Sequence, residues 1–273
     1  VIDLTAERIK QKLLKESDIE TGVYRKNSFR CSSLPVCPVK WILTEYIPVK
    51  KRDTFSTDFF AGIGTYVHEI VQTWLGYHGT LYGNWKCNKC KYIDHFITNK
   101  GLCDECGSKL EYIELLVADQ ESPLSGHVDG IIEEKDGSHT IIDFKTSKEH
   151  HEEYVHQIMS YWYLLNKYGP VLGNNYHKPL NIKKAIIFYI QRDNPWKRGN
   201  IFYKVYSEFS ENYYKKNVKL YNMSIKSLAT GEFEDSIRHR KYGKKGDCKY
   251  CEYESVCSKD IGLELTKLYR KEL

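Results

Sequence analysis

Two short segments carry acidic and basic side chains at a spacing suited to metal-dependent hydrolysis: Gly126-His127-Val128-Asp129-Gly130-Ile131-Ile132 and Thr140-Ile141-Ile142-Asp143-Phe144-Lys145-Thr146-Ser147. The residues between them read as the turn of a β-hairpin. With a three-residue loop Lys135-Asp136-Gly137, and Gly137 in the left-handed conformation, Glu134 opposes Ser138 and Asp129 falls opposite Asp143. A two-residue loop would turn the two acids to opposite faces. Side chains alternate along a strand, so Asp143 and Lys145 share one face while Ile142 and Phe144 point into the packed side. Facing carboxylates repel unless a cation lies between them. A hard divalent ion, Mg²⁺ or Mn²⁺, is the natural guest. Lys145 is then placed to orient or activate a water, or to stabilise charge developing on a phosphate. An exposed hairpin of mixed charge yields the same D-x-K pattern, so the decision rests on the rest of the chain.

The cysteines supply a second kind of chemistry. Cys87-x2-Cys90, then twelve residues, then Cys103-x2-Cys106 offers four thiolates as two pairs, each able to grip one side of a tetrahedral ion. Zinc suits that set, and Gly101 and Gly107 suit the backbone angles of such turns. Four cysteines leave no open coordination position, which makes the ion structural. Cys248-x2-Cys251-x5-Cys257 supplies three more ligands and needs a fourth, for which Cys37 is the candidate. Such a site would clamp the two ends of the chain around the core, and its spacing alone leaves zinc and iron–sulfur open. Cys31 is the remaining cysteine of nine. An odd count arranged as C-x2-C pairs favours metal binding in a reducing compartment over disulfides, and so an intracellular, cytoplasmic setting, the host cytoplasm included for a viral chain.

Elements that position these residues follow from periodicity. Helices are predicted near Leu4 to Leu14, from about Phe59 to Tyr77 with His68 at mid-length, from Glu152 to Tyr168, and over about 208–228. Strands are predicted at 126–134, 139–146, about 182–190 and 201–206. The order describes a mixed α/β domain with a central sheet, interrupted at 81–115 by polar, Cys-rich sequence that reads as an insert. A chain of 273 residues that is 41% hydrophobic can bury a real core, so disorder is excluded as the default. No apolar run approaches about 18 residues, and the first residues lack a basic-then-apolar pattern, so neither a membrane span nor a secretory signal is expected. Residues 181–273 hold 20 Lys/Arg against 12 Asp/Glu, which directs the search for a polyanion to that half and to Arg238, Arg240, Lys241, Lys244 and Lys245.

The ordered set Gly64-x3-His68, Gly126-x2-Asp129, Asp143-Phe144-Lys145-Thr146 and Gln157-x3-Tyr161 resembles the PD-(D/E)XK nuclease superfamily, and within it the RecB-like exonuclease branch. Ser33-Leu34-x2-Cys37-Pro38-x2-Trp41, with the C-x2-C-x5-C far downstream, is similar to the iron–sulfur subgroup that includes the AddB nuclease domain and the CRISPR-associated adaptation exonucleases. The resemblance implies a restriction-endonuclease-like α/β core, a central mixed sheet flanked by helices, with the zinc ribbon inserted and an iron–sulfur clamp joining the terminal regions. It implies that His68, Asp129, Asp143 and the Phe144 carbonyl ligate the catalytic Mg²⁺ or Mn²⁺ and that Lys145 is the catalytic lysine. Gln157 and Tyr161 would position DNA or the active site, and Cys37, Cys248, Cys251 and Cys257 would hold a [4Fe-4S] cluster. The parts are then an N-terminal helical part of the nuclease domain (1–80), the zinc ribbon (81–115), the nuclease core (116–230) and the iron–sulfur tail (231–273).

Val128 stands where the superfamily often has Pro, as the RecB-like branch tolerates. The further acid upstream of the hairpin is open between Glu114 and Glu121, and a zinc ribbon is no usual part of the pattern. The implied activity is a metal-dependent DNA exonuclease on single-stranded ends. The alternatives are a DNA-trimming subunit of a CRISPR-adaptation or recombination complex, and a nucleic-acid-binding adaptor without catalysis. No G-x4-G-K-[ST] is present, so ATP-driven unwinding would fall to a helicase partner.

Overall fold

The computed structural model describes residues 29–32, 37–46, 55–98, 101–122, 124–147, 149–173, 175–191 and 201–238, and positions 251, 253, 257, 261, 265 and 266. The helix expected near Leu4 to Leu14, Cys248 and the basic residues Arg240 to Lys245 lie outside the described residues.

Five helices and twelve strands are described. The helices are α1 (Pro38–Tyr46), α2 (Phe55–Tyr77), α3 (Glu152–Lys167), α4 (Glu211–Thr230) and α5 (Glu234–Arg238). The strands are β1 (Phe29–Arg30), β2 (Tyr82–Cys87), β3 (Ile93–Thr98), β4 (Leu110–Ile113), β5 (Leu115–Ala118), β6 (Leu124–Val128) and β7 (Gly130–Glu133). They continue with β8 (His139–Lys145), β9 (Val171–Leu172), β10 (Asn175–Tyr176), β11 (Ile182–Ile190) and β12 (Ile201–Tyr206).

The architecture is mixed α/β with more than one sheet. β12-β11-β8-β7 form a four-stranded mixed sheet in which β8 and β11 run parallel and the outer pairs antiparallel. β1-β6-β5-β9-β10 form a second sheet and β3-β2-β4 a third. The single strand expected at 126–134 is therefore divided: Asp129 alone separates β6, in the five-stranded sheet, from β7, in the four-stranded one. A carboxylate at the point where the chain changes sheets is freed from both ladders. That is how it reaches the site.

Helix α3 buries Val155, Ile158, Met159, Trp162 and Leu165, the apolar stripe its period predicts, against a core that includes Ile141, Ile187 and Tyr189. It ends where Gly169 takes φ +80°, and a Cβ there would come within 2.4 Å of the carbonyl oxygens of His177 and Lys178. Only glycine lets the chain turn back so closely toward β11. A second cluster gathers Val39, Ile42 and Leu43 of α1 with Leu228, Phe233, Tyr253, Ile261 and Leu265, and so joins the two ends of the chain. Among the described residues, no helix is long and apolar enough to cross a membrane.

Candidate active site

The hairpin closes on the register that its loop demands. Gly137 has φ +76°, Glu134 N donates to Ser138 O, and Gly130 pairs with Ile142. One step further, Asp129 stands opposite Asp143. There the ladder ends, and the Asp129 carboxylate takes the place of a backbone acceptor: its Oδ2 accepts the Phe144 N–H at 2.8 Å.

Helix α2 brings the next two groups. His68 Nε2 donates to the Phe144 carbonyl at 3.1 Å, which turns Nδ1 toward Asp129 Oδ2 at 3.7 Å. A neutral ring presents a lone pair there, so two acceptors face each other and only a proton or a cation reconciles them. One turn on, Gln72 Nε2 donates to the Asp129 carbonyl at 2.7 Å and to Glu114 Oε1 at 3.1 Å. Donor atoms of His68, Glu114 and Asp129 all lie within 4.8 Å of one another. Leu115 pairs with Val128 in the β5–β6 ladder, so the same register sets Glu114 beside Asp129. Glu121, the other acid left open by the sequence, instead pairs with Lys167 at 3.2 Å.

Asp143 is fully buried and is held from two sides. Lys145 Nζ lies 2.6 Å from its Oδ2, and Gln157 Nε2 donates to its Oδ1 at 3.2 Å while also reaching the Tyr161 hydroxyl at 3.0 Å. The Tyr161 ring in turn lies on Gly126, where a Cβ would come within 2.6 Å of the ring. This close approach is the steric reason for glycine three residues before Asp129. Lys145 also sits over the Tyr154 ring at 5.2 Å, a contact absent from the sequence reading. His68, Asp129, Asp143, Phe144, Lys145, Gln157 and Tyr161 are thus one connected network.

Its electrostatics are those of a site short of positive charge. Burial, and then the Asp143 charge, push the Asp129 carboxyl well above the usual carboxylate range. Burial works against the Lys145 ammonium, yet the Asp143 and Asp129 charges hold its pKa above the ordinary lysine value. Burial lowers His68, which favours the neutral, ligand-competent ring. Three carboxylates face one ammonium around a neutral imidazole. This donor set of carboxylate oxygens and one imidazole nitrogen fits Mg²⁺ or Mn²⁺.

A pH dependence follows with a definite sign. Because the Asp129 carboxyl is raised, cation uptake must displace its proton, whereas His68 has little to lose near neutrality. Mn²⁺ affinity should weaken as pH falls, with about one proton released per ion at the acid end. Calorimetric titration in buffers of different ionisation enthalpy reads this directly. An uptake that is independent of both buffer and pH would contradict it.

The first four cysteines meet in a separate site. Cys87 and Cys106 Sγ are 3.5 Å apart, Cys90 and Cys103 Sγ 3.6 Å, and all four sulfurs lie within 4.8 Å of one another. A tetrahedral ion with bonds near 2.3 Å spaces its thiolates by about 3.8 Å, so the set fits zinc. The two turns repeat one geometry: Lys91 N donates to Cys87 O and Gly107 N to Cys103 O, and both Lys91 (φ 65°) and Gly107 (φ 67°) are left-handed. Hydrogen bonds from Ser108 pull the Cys106 thiol down to about 6, toward the thiolate that a metal needs. Cys37, Cys251 and Cys257 all border the cluster that joins the chain ends.

A family model of the PD-(D/E)XK nuclease superfamily matches residues 104–258. That span contains Glu114, Asp129, Asp143, Lys145, Gln157 and Tyr161, while His68 precedes it. Among solved structures, the one described as the crystal structure of SSO0001 is similar at 15% identity, over 93% of this chain and 94% of that chain, with a TM-score of 0.47. No curated protein matches the chain.

Proposed function

Because this chain belongs to the PD-(D/E)XK nuclease superfamily, we propose that it is a Mg²⁺- or Mn²⁺-dependent DNA exonuclease of the RecB-like, iron–sulfur type, acting on single-stranded ends. The observation that carries the catalytic part is the buried Asp129–Asp143 pair with Lys145 2.6 Å from Asp143 and His68 and Glu114 at its rim. His68, Glu114, Asp129, Asp143 and the Phe144 carbonyl are the groups that would hold the cation. When bound, the cation supplies Lewis acidity toward the phosphate and acidifies water.

The remaining work falls to the chain itself. Lys145, fixed by Asp143 beneath it and Tyr154 beside it, stabilises negative charge on the phosphate and orients the attacking water. Water adds to phosphorus in line as the bond to the leaving 3′ oxygen breaks, which leaves a 5′-phosphate and a 3′-hydroxyl. Gln157 holds Asp143 in place, and Tyr161 holds Gln157. Water is kept from the underside because Asp143 is wholly enclosed.

In this reading Cys87, Cys90, Cys103 and Cys106 hold structural zinc, and Cys37, Cys248, Cys251 and Cys257 hold a [4Fe-4S] cluster. Cys37, Cys251 and Cys257 each pack against the same apolar cluster, which supports the second assignment. Anaerobic purification should then give a brown protein with broad absorbance near ~400 nm; a colourless protein with two zinc ions would overturn the cluster. The partner is DNA, with a helicase, recombination or CRISPR-adaptation protein as the source of unwinding. The catalytic reading is tested with end-labelled single-stranded and duplex DNA in Mg²⁺ or Mn²⁺ against an EDTA control. Metal-dependent shortening from one end of the single strand is expected, and binding without cleavage would reject it.

A further inference from the structure

The face of the four-stranded sheet that carries Phe144 leads from His68 to the sheet's open edge; contrary to the expectation from alternation alone, it is the face of Asp143 and Lys145 that packs against α3. Cross-strand pairing sets Phe144 beside Phe188 and Phe188 beside Tyr203. The rings form one row with His68 at its head: His68–Phe144 5.6 Å, Phe144–Phe188 5.9 Å and Phe188–Tyr203 5.7 Å. The opposite face of the same strands is packed, and Ile187 and Tyr189 there are fully buried. Exposure rises along the row, from 2% at Phe144 to 63% at Tyr203, which is flanked by Ile201 and Val205, both more than half exposed. Among the described residues β12 pairs with β11 alone, so these apolar side chains lie on an edge strand, where they promote association unless they are used.

We propose that the exposed end of this row, Phe188 and Tyr203, is a stacking platform for the unpaired bases of a nucleic-acid strand whose phosphate is presented at His68. The inference rests on the nuclease reading and adds where the strand lies. Three features select this occupant. The exposed rings are joined to the ligand set through the buried Phe144, whose ring contacts both Phe188 and His68. The Phe188 and Tyr203 rings are 5.7 Å apart, more than the roughly 3.4 Å rise of a stacked duplex strand, so a strand places one base on each only with its bases splayed. Along this face β11 and β12 carry one cation, Lys184, and no carboxylate to repel the backbone. Aromatic faces accept every base, so the platform grips without reading sequence.

The test is fluorescence anisotropy of a short labelled single-stranded DNA with the full chain in EDTA. Tyr203→Phe should bind as the unaltered protein does. Tyr203→Ala, and Tyr203→Leu, which keeps the apolar bulk and guards against a folding artefact, should both bind about tenfold more weakly or worse, the worth of one base-on-ring contact. Unchanged binding in the Ala and Leu variants overturns the platform. So does a Tyr203→Ala chain that binds normally but passes from dimer to monomer by light scattering, because the face then belongs to a second copy. Hydrolysis of bis-p-nitrophenyl phosphate by the unaltered protein with Mn²⁺ is measured separately: if it fails while the binding pattern holds, the nuclease reading falls and the platform stands.

Discussion

Lys145→Ala should lower the cleavage rate by about a hundredfold to a thousandfold while Mn²⁺ still binds. Removing one preorganised donor from a developing oxyanion typically costs about 10²–10³-fold, and Lys145 is the sole ammonium that faces Asp143 and Asp129 among the described residues. Its loss removes a positive charge from beside both carboxylates, so affinity for a divalent ion should hold or rise. The opposite pattern belongs to Asp129→Asn, which should lose both Mn²⁺ and cleavage. Lys145→Arg should not restore the rate, because a planar fork does not reproduce a point charge between an acid and a tyrosine ring. Calorimetry of Mn²⁺ beside single-turnover cleavage separates these outcomes. Cleavage by Lys145→Ala at the unaltered rate would place the chemistry elsewhere.

The part of this site legible in the sequence was the part set by local geometry. A three-residue loop with Gly137 at the left-handed position fixes the hairpin register, and the register alone sets Asp129 against Asp143. The stripe of α3 fixes which face meets the core, so that Gln157 reaches the Asp143 carboxylate and Tyr161, four residues on, holds Gln157. What stayed hidden depends on pairing between segments distant in sequence. The β-like run at 126–134 reads as one strand through Asp129, and only the separate partners of β6 and β7 split it between sheets. Glu114 was ambiguous with Glu121 for the same reason, since the β5–β6 ladder chooses between them. Gln72 reads as an ordinary polar helix residue until both of its acceptors are in place. Lys91 is left-handed without the glycine that would have announced it.

With zinc on Cys87, Cys90, Cys103 and Cys106, as proposed, Cys106→Ser should cost the protein that ion and, through the insert, weaken the active site around Asp129, 23 residues further along the chain. Loss of a group that merely orients a ligand already lowers metal affinity about 10–100-fold, so loss of a ligand itself should exceed that. The effect should travel because the three-stranded sheet that carries these cysteines is joined to the catalytic elements at several points. Trp85 lies against Gly76 of α2, where a Cβ would come within 2.7 Å of its ring, and Leu75 of α2 packs in the cluster built on Trp85, Cys87 and Cys103. Leu81 bridges to Ile132 of β7, and β4 ends at Ile113, directly before Glu114. Loosening these strands frees α2 and Glu114 together, and with them the Gln72 bridge to Asp129. The expected result is a chain with substoichiometric zinc, faster proteolysis within 81–115 and weaker Mn²⁺ binding at the distant site. If Cys106→Ser retains full zinc, the four-thiolate site is wrong. If it loses zinc yet binds Mn²⁺ and cleaves as before, the ribbon is an independent appendage and the contacts through Gly76 and Ile132 carry no coupling.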